Sequence, residues 1–188
     1  MRFWRAERSY DKFVSPIHSK GAQNIYNKPA RNQLAVYLQE DGKFTAKREE
    51  FDYTTLPWQR WLSRSFNYRV VRAGLAADGL QAAMGAFTLR ALAKGYVEPN
   101  ADGTHTIHVT GCSVFVYDTF NFEGDDSYGY WSYEDMEFSN PFLGIERDHL
   151  TDAYFREFCD KYAVGNNFCV FSKLHAVDNF TKMEYKYP

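Results

Sequence analysis

The spacing of apolar positions changes several times along this chain, and each period predicts an element. From Thr104 to about Asn121, Ile107, Val109, Phe115 and Tyr117 alternate on one side while Cys112, Val114 and Val116 take the other. That is the period-two signature of a strand. Apolar residues on both faces after Gly111 imply burial from two sides, or a bulge at Gly111. Phe87 to Val97 reads as the preceding strand, and Glu98-Pro99-Asn100-Ala101-Asp102-Gly103 between the two is hairpin chemistry. Gln33 to Leu38 reads as an earlier strand. Glu40-Asp41-Gly42-Lys43 follows as a turn, and Phe44 to Tyr53 as its hairpin partner.

Helical spacing occurs elsewhere. Thr55 and Pro57 suit a helix start before Trp58, Trp61 and Leu62, which share one face as a core anchor. Residues 73–86, rich in Ala and Gly, place Leu75, Leu80 and Met84 at helical spacing in a short helix or turn. Asp148 is the expected cap of an amphipathic helix running to about Val164. Its Leu150, Tyr154, Phe158 and Tyr162 recur every four residues beside Phe155 and Cys159, and Gly165 is its expected stop. Phe168 to Phe171 reads as a short buried strand, continued by Lys173 to Val177. Residues 1–30, broken by Pro16, Gly21 and Pro29, read as an extended arm. The pattern as a whole predicts one α+β domain over residues 1–188. Its antiparallel, strongly twisted sheet or partial barrel carries two or three helices packed on it.

Composition agrees with a packed domain. Of 188 residues, 45% are hydrophobic and 18% aromatic, enough to bury a core. No apolar run approaches the roughly 20 residues that span a bilayer. Met1-Arg2-Phe3-Trp4-Arg5 has charge but no apolar stretch after it, so it does not read as a signal peptide. The expectation is a chain made in the bacterial cytoplasm, with any export carried by other machinery. Cys112, Cys159 and Cys169 lack the paired spacing of a metal site or a disulfide framework and read as buried thiols. Residues 1–72 carry 14 Lys and Arg against 7 Asp and Glu, whereas residues 73–188 carry 8 against 17. The basic residues are scattered. This favours attraction between the halves over a nucleic-acid face, although a nuclease using the basic half stays open.

The chain lacks G-x-S-x-G, a Walker loop, H-E-x-x-H and the Rossmann glycines. His105 and His108, an odd number apart in a strand, face opposite sides and cannot share a metal. The richest polar stretch follows the long strand: Asp118-Thr119-Phe120-Asn121-Phe122-Glu123-Gly124-Asp125-Asp126-Ser127-Tyr128-Gly129-Tyr130-Trp131. A strand end is a rigid mount, and Asp118 there is a candidate base or ligand, with Asp125 and Asp126 as further oxygen ligands for a hard cation such as Mg2+. A plain connecting loop with Asx turns at Asp118 and Asn121 explains the same residues.

Several pieces resemble a proteobacterial family of unknown function whose members are often encoded beside type VI secretion genes. They are Leu80 to Arg90, the strand Val109 to Phe122 leading into Tyr128-Gly129-Tyr130-Trp131-Ser132, the segment Tyr154 to Phe158, and Asn167 to Ser172. The resemblance covers roughly residues 75–180. The family's second Asp is Asn121 in this chain, and its Gly-Lys-Gly-Gly-Asp is Ala163-Val164-Gly165-Asn166-Asn167. A more distant likeness is to colicin M-type toxins, which cut the phosphoester of lipid-linked peptidoglycan precursor; Asp118 alone carries over from their motif.

The resemblance implies an antibacterial effector or toxin domain linked to type VI secretion, hydrolysing an envelope phosphoester. Asp118 and Asn121 are its catalytic candidates, and Asp118, Asp125 and Asp126 its candidate metal ligands. Tyr130 and Trp131 would hold substrate, and a cognate immunity protein and a spike or adaptor protein would be partners. The alternative is a non-enzymatic binding module, an adaptor or a membrane-active toxin of that system.

Overall fold

In the computed structural model the described residues are 10–11, 13–14, 27–72, 86–124, 127–132, 137–139, 148–163, 165, 167–178 and 180–188. In chain order the elements are α1 (Lys28–Glu40), β1 (Glu49–Asp52), α2 (Trp61–Arg64), β2 (Asn67–Arg72), β3 (Ala86–Pro99), β4 (His105–Phe120), β5 (Ser127–Ser132), β6 (Glu137–Ser139), β7 (Asp148–Thr151), α3 (Asp152–Tyr162), β8 (Phe168–Phe171), β9 (His175–Ala176) and β10 (Met183–Tyr187). Two 3-10 turns, Tyr53–Thr55 and Trp58–Arg60, precede α2. This is the expected α+β class, with an antiparallel sheet of seven strands that does not close into a barrel.

The sheet is built on the β3–β4 hairpin. β1 and β2 pair with successive stretches of β3. β10, β9 and β8 pair with successive stretches of β4. Register decides the two faces. Lys94 pairs with Gly111 and Gly95 with Val109, so Thr110 is an extra residue. That bulge reverses the alternation, because a shift of one residue exchanges faces. Ile107 and Val109 therefore share a face with Cys112, Val114 and Val116, not with Phe115 and Tyr117 as simple alternation predicted. Gly95 sits opposite the bulge, where a Cβ would overlap the His108 carbonyl oxygen.

The first face is the main core. Val97, Ala93, Ala91, Leu89, Ile107, Val109 and Val114 are buried on it. Tyr185 of β10 pairs with Ile107, and its hydroxyl donates to the Arg31 carbonyl of α1 at 3.0 Å, which lays α1 across this face. Burial of each Val, Leu or Ile side chain among them stabilises the fold by about 1.5–3 kcal/mol. Phe13, fully buried, joins the same core, so the predicted arm is packed in at that point. The opposite face is sealed in its middle, where Leu92, Ser113 and Phe115 are buried and the Trp61 ring lies 5.1 Å from Phe115.

α1 replaces the strand expected at Gln33–Leu38. Asn27 caps it, its Oδ1 accepting from Ala30 N at 2.8 Å, and Pro29 suits the first turn, which needs no N–H from it. Ala30, Leu34, Ala35 and Leu38 form the buried stripe. Asp41-Gly42 does turn the chain, but it ends a helix: Gly42 has φ 66° and Lys43 N reaches back to Leu38 O at 2.8 Å. Of Phe44 to Tyr53 only β1 is strand, and its partner is β3.

Other expectations change similarly. Trp61 is half-buried as predicted, but Trp58 is 54% exposed against Phe171. Asp148 belongs to β7. The cap of α3 is Thr151, whose Oγ1 accepts from Tyr154 N, and the left-handed stop residue is Ala163, not Gly165. Cys112 is buried, whereas Cys169 is exposed. β5, β6 and β7 form a second, three-stranded antiparallel sheet. The predicted helix or turn at 73–86 lies outside the described residues up to residue 85. No described helix is long and apolar enough to cross a membrane.

Candidate functional site

Asp118 stands near the end of β4, paired with Val170 of β8. The register puts it on the core face, in line with Val116 and Phe120, and it is 7% exposed. Its Oδ1 accepts the backbone N–H of Thr119 at 2.9 Å. Burial raises its pKa above the ordinary carboxylate value, because charge is disfavoured away from water, and the Thr119 hydrogen bond opposes the rise. Such a carboxyl holds its proton more tightly than a surface aspartate does.

Asn121 lies one residue past β4 and is exposed. Strand end and exposed turn therefore put the two catalytic candidates in different surroundings. The turn at 121–124 is held by its neighbours. Arg156 of α3 donates through Nη1 to the carbonyls of Phe122 and Gly124, and Asn167 Oδ1 accepts from Phe122 N at 3.2 Å. The Phe122 ring stacks on Phe155 with centroids 3.6 Å apart. In the sequence Arg156 and Asn167 entered only through the family resemblance, Arg156 within Tyr154 to Phe158 and Asn167 at the place of that family's Asp, and neither was given a role.

Tyr130 and Trp131 belong to β5 of the second sheet, where Tyr130 pairs with Ser139 and His149, and Trp131 with Phe138 and Asp148. They and Asp118 thus lie on separate sheets. Asp125 and Asp126 fall outside the described residues. Among the described residues, no group of three His, Cys, Asp or Glu is placed to hold a metal ion. Asp118 is the one described member of the expected ligand set, and a hard cation needs several oxygens.

The feature that the sequence hid is apolar exposure around β8 and α3. Phe168 is 47% exposed and Val170 36%, although Phe168-Cys169-Val170-Phe171 reads as a buried run. β8 pairs with β4 along one edge only, among the described residues. Tyr154, Phe158 and Tyr162, predicted as the buried stripe of the amphipathic helix, are exposed instead. The side of α3 that packs inward carries Phe155, on Phe122.

A family model described as DUF6402, a family of unknown function, matches residues 1–146. The match takes in the N-terminal third and everything through β6, and stops short of β7, α3 and the last three strands. No curated protein matches, and no solved structure matches.

Proposed function

We propose, for a chain that belongs to the DUF6402 family of unknown function, that it is a non-enzymatic binding module which captures an extended segment of a protein partner along the free edge of β8. One observation carries this reading. Phe168 and Val170 stay exposed on a strand whose second edge has no partner among the described residues. An extended segment added there would complete the ladder with main-chain hydrogen bonds, and the two apolar side chains would select its residues. The resemblance to a secretion-linked family supplies the expected setting: an antibacterial system, with an immunity protein or a spike or adaptor protein as the partner.

A second reading is favoured by the burial of Asp118. Burial makes the Asp118 carboxylate more basic than a surface one, which suits the general base of an envelope phosphoester hydrolase at a strand end, with Mg2+ held by the acidic pair that follows.

Co-expression with the product of the neighbouring gene, followed by size-exclusion chromatography, separates the two. On the binding reading the pair co-elutes, Val170→Asp abolishes the complex, and Asp118→Asn leaves it intact. Growth inhibition on periplasmic expression that disappears with Asp118→Asn, alongside an unchanged complex in Val170→Asp, would sink the binding reading and establish the hydrolase.

A further inference from the structure

A cleft of about 410 Å³ opens on the main core face of the sheet, with Ser172, just after β8, in its lining. That volume lies in the range of about 300–1,000 Å³ that takes small organic molecules. Its floor is apolar and nearly closed: Phe87 and Leu89 of β3 and Val114 of β4 are buried, and Val116 is half-buried. Its rim is polar. Tyr10 and Asp11 come from the helical residues near the N-terminus, His175 from β9, and Asp178 from the segment after it. The register sets His175 beside Val114, on the floor's own face. Among the described residues of the lining there are two carboxylates and no Lys or Arg.

Tyr10 ties the rim together. Burial is the main cause of its raised pKa, and the charges of Asp178 and then Asp11 act in the same direction. Its hydroxyl remains protonated at neutral pH and is a donor or acceptor for whatever enters. The chemistry is complementary to a molecule with two parts. An apolar body covers Val116 and Ala176, and a positively charged head sits beside the two aspartates.

We propose that this cleft binds an amphipathic organic cation: an ammonium or amidinium group carried on a short alkyl or aryl body. The lining includes neither Asp118 nor the exposed Phe168 and Val170 of β8. Asp118 lies on the same face two residues beyond Val116, but it is not part of the lining.

The test is an amide-shift NMR titration of the full chain at neutral pH with n-hexylamine, hexan-1-ol and hexanoate, three probes of equal body and different head. The expected result is binding centred on Val114 and Ala176, with hexylamine preferred over hexanol by about tenfold, the size two partly exposed charge contacts supply. Hexanoate binds more weakly than hexanol. The double variant Asp11→Asn, Asp178→Asn changes two exposed side chains and keeps the wild-type thermal midpoint. In it, hexylamine falls to the level of hexanol. Equal affinity for amine and alcohol, shifts centred elsewhere, absence of binding at millimolar hexylamine, or a preference that survives in the double variant would each overturn the proposal.

Discussion

Asp41 and Asp118 are both taken partly out of water, and the protein treats them in opposite ways. At the end of α1, Asp41 receives Arg64 through Nε at 3.2 Å and Nη2 at 2.7 Å, and the Tyr53 hydroxyl at 2.8 Å. Burial alone would raise its pKa, but the Arg64 and Tyr53 hydrogen bonds overcome that and hold it below the ordinary value. Asp118 is more deeply buried and has the Thr119 N–H, and its pKa is raised. The first carboxylate is a joint: it fastens α1 to the turn after β1 and to α2. The second fastens nothing comparable. A partnered carboxylate is explained by the fold it holds, whereas an unbalanced one at a strand end is available for something else.

The largest expected effect lies at the joint. Arg64→Ala strands Asp41 and removes a guanidinium that also covers the Tyr37 ring. The expected cost is about 2–3 kcal/mol at neutral pH, read from chemical denaturation, because a half-buried charge loses its bidentate partner. The sign with pH follows from the lowered pKa. The Asp41 contribution is fully present above the unfolded carboxylate value and is lost as pH falls through the folded one. The gap between wild type and Arg64→Ala should therefore narrow in acid. A gap that does not change with pH would mean that Arg64 acts through packing alone. Tyr53→Phe is milder. It deletes one hydroxyl donor and keeps the buried ring, so about 1 kcal/mol is expected by the same measurement.

Much of this contrast was invisible in the sequence, for identifiable reasons. The β3–β4 hairpin was legible because long alternation and the Pro-Asn-Ala-Asp-Gly stop agree with each other, and the paired strands form as predicted. Gln33–Leu38 misled because Val36 and Tyr37 favour strands, while the helical stripe of Ala30, Leu34, Ala35 and Leu38 begins before that window. The single extra residue at Thr110 exchanged the faces of everything after it; the apolar residues on both sides of Gly111 pointed to a bulge there or to burial from two sides, and the pattern alone could not choose. Exposure at Phe168 and Val170 was hidden for a similar reason. A short apolar run looks the same whether a neighbour covers it or not. At the candidate site, Asp118 could be placed at a strand end from sequence, but its burial depends on β8 pairing across from it, 52 residues later at Val170. Whether Tyr130 and Trp131 stood near it depended on a second sheet whose existence the alternation did not reveal.

The smallest effect is also the one that bears most directly on Asp118. Its raised pKa means that the folded chain binds this proton more tightly than the unfolded chain does. Stability therefore falls as pH rises from the ordinary aspartate value of about 3.9 through the folded one, since ionising the carboxyl without a cation is unfavourable there. Asn is nearly the same shape, can still accept from the Thr119 N–H, and cannot ionise. Asp118→Asn should accordingly raise the thermal midpoint at pH 7 and leave it unchanged near pH 3, where the native carboxyl is protonated in both states. The Asp41 joint predicts the reverse pH trend for its own loss, so the two variants run against each other along the same axis. If Asp118→Asn instead destabilises the protein at pH 7, the carboxylate has a positive partner and the contrast with Asp41 collapses. Millimolar Mg2+ then distinguishes the cause: a rise in the wild-type midpoint that Asp118→Asn does not share would identify that partner as a bound cation and return the strand end to hydrolytic chemistry.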